Sequence, residues 1–281
     1  GASIDLKGSI RVEPCRNPPP VNRLHEIVER VVREGNCSGC GACPLISRTL
    51  EMAMSDDGFL RPRPVVDPRI LGLGNADASR AIQSFLRACP GVVTSRPQSA
   101  VGATVDKHFG PYLAIWRGWA TDSEIRRAGS SGGLITALGV YAQLRGTKVM
   151  YGVQAADDGS SRSVSTAAVG RAEIISMAGS RYAPAASLPL LAERTDASLV
   201  ACKPCEASAL RQLRGHDDAR PMVISFLCAG VPRQAATDGL LRKLGVNSSS
   251  LISLRHRGMG WPGDCYADDR QGRQAPRSYE D

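Results

Sequence analysis

Residues 198–215 read SLVACKPCEASALRQLRG. A short apolar run, SLVAC, passes through Lys203 and Pro204 into a segment with helical spacing, so the stretch reads as a buried strand feeding a helix. The same unit repeats downstream, with MVISFLCAG (222–230) feeding PRQAATDGLLRKLG (232–245). Upstream, TKVMYGVQA (147–155) reads as another strand with SVSTAAV (163–169) beside it, and YLAIWRGWAT (112–121) as a further one. GSSGGLITALGVYAQLRG (129–146) is a loop opening a helix, RAEIISMAG (171–179) and SLPLLAERT (187–195) are helices, and LISLRHRG (251–258) closes the series. Short apolar strands alternating with helices predict an α/β domain with a mixed, largely parallel sheet over residues 111–281.

The first third of the chain follows another pattern. Residues 1–22 end in CRNPPPV and read as a flexible leader. RLHEIVERVVRE (23–34) has helical spacing, and Gly35 stops it. NCSGCGACPLI (36–46) then opens a turn-rich stretch. DDGFLRPRPVVDP (56–68) reads as a short strand broken by prolines, and ASRAIQSFLRACPG (78–91) as a helix running into Cys89. Residues 92–110 have linker composition. The expected order is therefore a leader, a small ferredoxin-like domain over 23–91, a linker, and the α/β domain. No internal repeat is visible.

Composition narrows the function. The 281 residues are 42% hydrophobic, and no run approaches the roughly 20 apolar residues of a membrane span. The opening GASIDLKGSIRVEP shows no apolar signal core, so a cytoplasmic globular protein is expected. The net charge of +8 comes mostly from scattered arginines, without a lysine block or an aromatic-interleaved stripe. That favours a solvated surface with some anion-binding arginines over a nucleic-acid face. The nine cysteines, at 15, 37, 40, 43, 89, 202, 205, 228 and 265, are odd in number and clumped. Metal or redox use fits this pattern better than a disulfide framework.

Cys37, Cys40 and Cys43 follow the C-x-x-C-x-x-C spacing of a cuboidal iron–sulfur site. Two-residue gaps let a tight loop wrap one cluster, and Ser38, Gly39, Gly41 and Ala42 are small enough for backbone N–H groups to approach its sulfides. Cys89, followed by Pro90, is the natural fourth ligand. Structural zinc remains a weaker alternative, because zinc sites usually pair two separate C-x-x-C knuckles or use histidines. Unmetallated thiols are the remaining one.

Five further stretches stand in order behind that run: GSSGGLITAL (129–138), GSRYAP (179–184), KPCEASAL (203–210), FLCAGVP (226–232) and LRHRGMGWPG (254–263). Together they resemble the coenzyme F420 hydrogenase/dehydrogenase β-subunit family over roughly residues 30–281. That family includes 7-hydroxymethyl chlorophyll reductase and ferredoxin-dependent divinyl reductase. The resemblance implies FAD, one or two 4Fe–4S clusters, and electron transfer between one-electron carriers and a two-electron partner such as coenzyme F420. Ferredoxin or a hydrogenase or dehydrogenase subunit is the implied protein partner. Gly129, Ser130, Ser131, Gly132 and Gly133 precede a helix, where free N–H groups suit a phosphate or flavin edge; an ordinary glycine-rich helix start is the plainer reading. Arg181 and Tyr182 resemble the family's flavin-adjacent stretch, with arginine replacing the usual lysine. His256 and Arg257 match a basic loop suited to the flavin pyrophosphate or an acidic substrate, or they are surface charges.

The resemblance also implies that Cys205 and Cys228 are half of a second cluster site. The family's downstream C-x-x-C pair does not occur before this sequence ends at SYED, so a truncated or fragmentary member is expected. Cys202, inside a buried strand, and Cys265, in a loop after PGD, are not expected to replace that pair. No catalytic side chain is assigned: no Ser-His-Asp set, paired acids or Walker motif is present, and the histidines at 25, 108, 216 and 256 share no ligand spacing. The leading expectation is an FAD- and 4Fe–4S-dependent oxidoreductase acting with coenzyme F420 or a related acceptor. The alternatives are a ferredoxin-dependent reductase of another substrate, a non-catalytic electron-transfer subunit, and a basic zinc module.

Overall fold

The computed structural model describes residues 2–4, 10–12, 20–65, 75–95, 101–159, 161–193, 198–214, 221–261, 263–271 and 274–277. A short antiparallel pair, β1 (Ala2–Ile4) and β2 (Ile10–Val12), precedes helix α1 (Pro20–Arg33). Leu24, Val28 and Val31 of α1 are buried at the spacing of one helix face. They pack with Ala81 and Phe85 of α3 (Asn75–Ala88), so the two helices share one core.

Gly35 ends α1 in the left-handed region, with φ +77°. Its N–H donates to Val32 O at 3.0 Å, and the Asn36 N–H reaches back to Val31 O at 3.1 Å. This pair of bonds is a Schellman cap, and it turns the chain directly into the cysteine loop. A single turn, α2 (Cys43–Ile46), leads to an antiparallel hairpin of β3 (Leu50–Met54) and β4 (Leu60–Pro64). In β4, Pro62 faces Met52 and Pro64 faces Leu50. The prolines are tolerated because in a two-stranded sheet both strands are edges.

Part of the expected linker is a hairpin, β5 (Thr104–Asp106) with β6 (Gly110–Tyr112). The apolar run expected to continue as a strand through residue 121 does not. Beyond Tyr112 no strand forms, and Leu113, Ile115 and Trp116 are 69%, 78% and 89% exposed. Strand propensity alone did not suffice where no neighbouring strand offers hydrogen bonds.

The remainder alternates helices and strands, as the α/β fold class requires. Helix α4 (Ser123–Ala128) is capped by Asp122, which accepts from the N–H groups of Glu124 and Ile125. Helix α5 (Leu134–Leu144), strands β7 (Val149–Ala155) and β8 (Ser163–Ala168) and helix α6 (Arg171–Ser176) follow. Leu188–Glu193, expected as an α-helix, is a 3-10 helix, since the intervening proline cannot donate to an α-helical ladder. Next come β9 (Ser198–Cys202), α7 (Pro204–Arg214), β10 (Met222–Ser225) and α8 (Gln234–Lys243).

The main sheet has the order β10-β9-β7-β8, parallel except for the β7–β8 pair. Its central strands carry the core: Val149, Tyr151, Leu199 and Val200 are all about fully buried. A second, antiparallel sheet joins β11 (Leu251–Arg255), β12 (Cys265–Asp269) and β13 (Gln274–Arg277). Cys265, expected in a loop, is the first residue of β12. It packs with Leu241 and Leu254 beneath α8, so alternation in that strand turns it inward. Among the described residues no helix is long and apolar enough to cross a membrane.

Candidate functional site

The cysteine loop is pinned from three sides by close backbone approaches. A Cβ on Gly39 would lie 2.8 Å from Leu60 O of β4, and one on Gly41 would lie 2.7 Å from Ala186 Cβ of the α/β domain. A Cβ on Gly91 would lie 2.4 Å from Asn36 O. The turn after Cys89 thus sits against the backbone preceding Cys37, which brings a residue 46 positions away to the loop's mouth. Cys37, Cys43 and Cys89 pack into the same apolar cluster as Phe85, and Cys40 packs into that of Tyr151 and Leu188.

These thiols sense one another. Burial pushes Cys40 up to about 12, with smaller contributions from Cys205, Cys89 and Cys37. Burial also raises Cys43 well above the ordinary thiol range, followed by the influence of Cys40, Cys37 and Cys89. Cys89 is raised by burial and next by Cys37, while the N–H groups of Gly91 and Val92 point at its sulfur and oppose the rise. Several buried thiolates this close are unstable without a cation among them. Among the described residues no three such side chains already stand in a finished metal-binding arrangement. The donor chemistry nevertheless fits a metal group: four thiols gathered around one loop, small neighbours, and N–H donors at sulfur. That donor set suits an iron–sulfur cluster or zinc.

Beside the loop lies a cavity of about 240 Å³ whose wall includes Cys37, Cys205, Cys228, Arg61 and Lys203. Cys205 opens α7 and Cys228 follows β10, so both stand at the carboxyl ends of parallel strands, where open α/β sheets gather ligands. The hydroxyl of Ser38 is bonded to Cys205, linking the cysteine loop to α7. Cys228 is exposed, its S–H directed at Gly230 O at 3.7 Å. Cys202 is buried in the sheet, its thiol pushed up to about 12 by burial and then by Glu206. Cys15 and His216 lie outside the described residues.

Two features of this wall escaped sequence reasoning. Glu206, 1% exposed, accepts from the N–H of Ser187 at 2.5 Å and of Lys203 at 2.8 Å, and it pairs with Lys203 Nζ at 3.4 Å. Lys203 Nζ also donates to Ala185 O. The acidic residue three positions after Lys203 was the available signal. Arg61 donates to Cys37 O, and nothing about an arginine between prolines announced it.

The other predicted stretches meet at a separate corner. Ser130 Oγ donates to Arg257 O at 2.9 Å, as does the N–H of Ser180 at 3.3 Å. Arg181 donates to Ser163 Oγ at 3.1 Å and Leu254 O at 2.6 Å, and Arg255 to Ala128 O at 3.1 Å. Tyr182 meets His256 edge-on, ring centres 5.9 Å apart, and Arg257 lies over Trp261 at 4.6 Å. Residues 129–133, 179–182 and 254–258, distant in sequence, therefore form one unit.

Much of this corner is already satisfied internally. A Cβ on Gly129 would lie 2.6 Å from Gly133 Cα, and Gly133 has φ +72° where it starts α5. The turn itself demands both glycines. His256 is 6% exposed rather than a surface charge, and neither ring nitrogen has a hydrogen-bond partner among the described residues. Burial, and then Arg181, lowers its pKa to about 4. Burial, and then Arg255, lowers Arg181 to about 10, and Arg181 Nη2 is also unbonded. Arg181 and Arg255 donate to Ser163 Oγ and to backbone carbonyls, so their charges make this corner suited to an anion.

Fold and site together define an α/β protein with a cysteine-loop module seated against its sheet. Residues 115–192 match the family described as coenzyme F420 hydrogenase/dehydrogenase, β subunit, N-terminal domain, in line with the resemblance carried by the motifs. No curated protein matches. Among solved structures, a chain of the F420-reducing [NiFe] hydrogenase complex from Methanosarcina barkeri is 19% identical, with a TM-score of 0.43. The alignment covers 58% of this chain and 59% of that one, so this chain spans less than two thirds of its length, and no functional statement follows from it.

Proposed function

We propose that this protein is an iron–sulfur flavoprotein oxidoreductase that passes electrons between a one-electron carrier and coenzyme F420 or a related two-electron acceptor. The observation that carries the reading is the convergence of Cys37, Cys40, Cys43 and Cys89 on a loop held by Gly39, Gly41 and Gly91. In this reading residues 23–91 are the iron–sulfur domain and 111–281 the flavin domain. Cys205 and Cys228 contribute half of a second cluster site on the wall they share with Cys37. Gly129, Ser130, Ser131, Gly132, Gly133, Arg181, Tyr182, His256 and Arg257 hold FAD through its anionic pyrophosphate. The partner is a ferredoxin or a hydrogenase or dehydrogenase subunit, and a reducing, cytoplasmic setting suits the free thiols.

Bound at these places, the clusters supply one-electron transfer and the flavin the change between one- and two-electron chemistry. The chain's own residues hold and shield. Cys40 and Cys43 lie buried, which keeps water from the loop. The N–H groups of Ala42, Gly91 and Val92 stabilise sulfur as the thiolate. Glu206 ties the segment at Ser187 to the start of α7 and so holds Cys205 against the cavity.

Anaerobic reconstitution with iron and sulfide is the test. The reading expects a brown protein with about four irons per chain and stoichiometric FAD. A colourless protein holding about one zinc would overturn it. A second reading, an electron-transfer subunit without flavin, is supported by the closed corner around His256. A brown protein that takes up no FAD would select that one.

A further inference from the structure

The cavity beside the cysteine loop has two cationic side chains in its wall, and they differ in how their charge is compensated. Lys203 is 8% exposed and faces Glu206, itself 1% exposed, at 3.4 Å. Its charge is cancelled at close range inside the protein, and its ammonium is held by Ala185 O besides. Arg61 differs. Its side chain is 16% exposed, but its counter-ion Asp57 stands 3.7 Å away and is 58% exposed, in water that screens it. The guanidinium lies over the Phe59 ring at 4.8 Å and donates to Cys37 O, while its buried Nε has no hydrogen-bond partner among the described residues. The less fully compensated positive charge of this wall therefore sits against the first cysteine of the loop.

We infer that Arg61 is the positioning charge that sets the reduction potential of the iron–sulfur site at Cys37, Cys40, Cys43 and Cys89; this rests on the reading above. Reduction adds one electron, and thus one negative charge, to a group already bound by thiolates. A nearby cation stabilises the reduced form more than the oxidised one, and surrounding charge and hydrogen bonds are known levers on cluster potential. Arg61 also donates to Cys37 O, which ties its charge to the backbone of the loop's first cysteine. Arg63, two residues along β4, is 64% exposed and paired with Glu51 at 2.7 Å, and it serves as the internal control.

The experiment is a redox titration followed by electron paramagnetic resonance, on reconstituted full-length protein with iron content measured alongside. Arg61→Gln keeps an amide donor for Cys37 O but removes the charge. It is expected to retain iron and to lower the reduced-to-oxidised ratio at fixed potential about tenfold, which is about 59 mV for a one-electron couple. Arg61→Lys restores most of that ratio, and Arg63→Gln leaves it unchanged. Asp57→Asn is expected to move it the other way, about twofold, because only a screened charge is lost. An unshifted ratio in iron-loaded Arg61→Gln overturns the inference. Should Arg61→Gln lose its iron, Asp57→Asn decides alone, and no upward shift there overturns it. A wild-type protein without iron instead removes the underlying reading.

Discussion

The cysteine loop and the glycine-rich corner use the same device, glycines pressed against a neighbouring backbone, and end in opposite conditions. In the loop, the close approaches of Gly39, Gly41 and Gly91 gather buried thiols whose charged forms burial disfavours. In the corner, the turn at Gly129 and Gly133 and the carbonyls of Ala128, Leu254 and Arg257 absorb the nearby arginine and serine donors. The loop leaves its buried thiols unbalanced, whereas the corner takes up most of its donors within its own packing. A fold can therefore advertise a ligand through what it leaves unbalanced, while a motif can be largely consumed by its own packing.

The comparison is broken most directly at the sulfurs. Cys40→Ser or Cys43→Ser should abolish nearly all iron binding, whereas Cys202→Ser should retain it, as measured by iron content after reconstitution. Equal retention in all three would mean that the loop holds no cluster. Next in size is the packing that brings Cys89 home. Phe85, 1% exposed, links α3 to α1, and Phe85→Ala should cost about 3–5 kcal/mol of stability in a denaturant titration. Gly91→Ala, which drives a Cβ into Asn36 O, should cost about 1–3 kcal/mol and weaken iron retention as well.

The corner answers to acid. His256 is depressed to about 4 from an unfolded value of 6.5, so the unfolded chain binds the proton first. Stability from keeping it neutral is complete above pH 6.5 and is lost as pH falls through 4, up to about 3 kcal/mol. His256→Gln should flatten the fall in melting temperature over that window, and an unaltered pH profile would remove His256 as its cause. The smallest effect is expected at Ser130→Ala, which deletes one bond to Arg257 O and should cost about 1 kcal/mol by thermal unfolding.

Much of this was legible before any coordinates. SLVAC and MVIS became adjacent parallel strands, with SVSTAA antiparallel beside VMYGVQA, because successive strand–helix units pair their strands in one sheet, although MVIS lies at its exposed edge. The run from Leu113 to Trp119 misled, since apolar composition marks strand propensity but cannot supply a partner. His256 misled in the other direction: a histidine between arginines looks solvated, and only the docking of Tyr182 and Arg181 over it makes it core.

The amino-acid order alone determined the α/β alternation and the cysteine spacing within one loop, because these depend on neighbours a few residues apart. Tertiary structure decided that Cys89 meets that loop, that Cys205 and Cys228 share its cavity, and that the charge of Arg61 is less closely balanced there than that of Lys203. Those outcomes depend on which distant backbones touch and which counter-ions are buried, and neither quantity is written in local sequence.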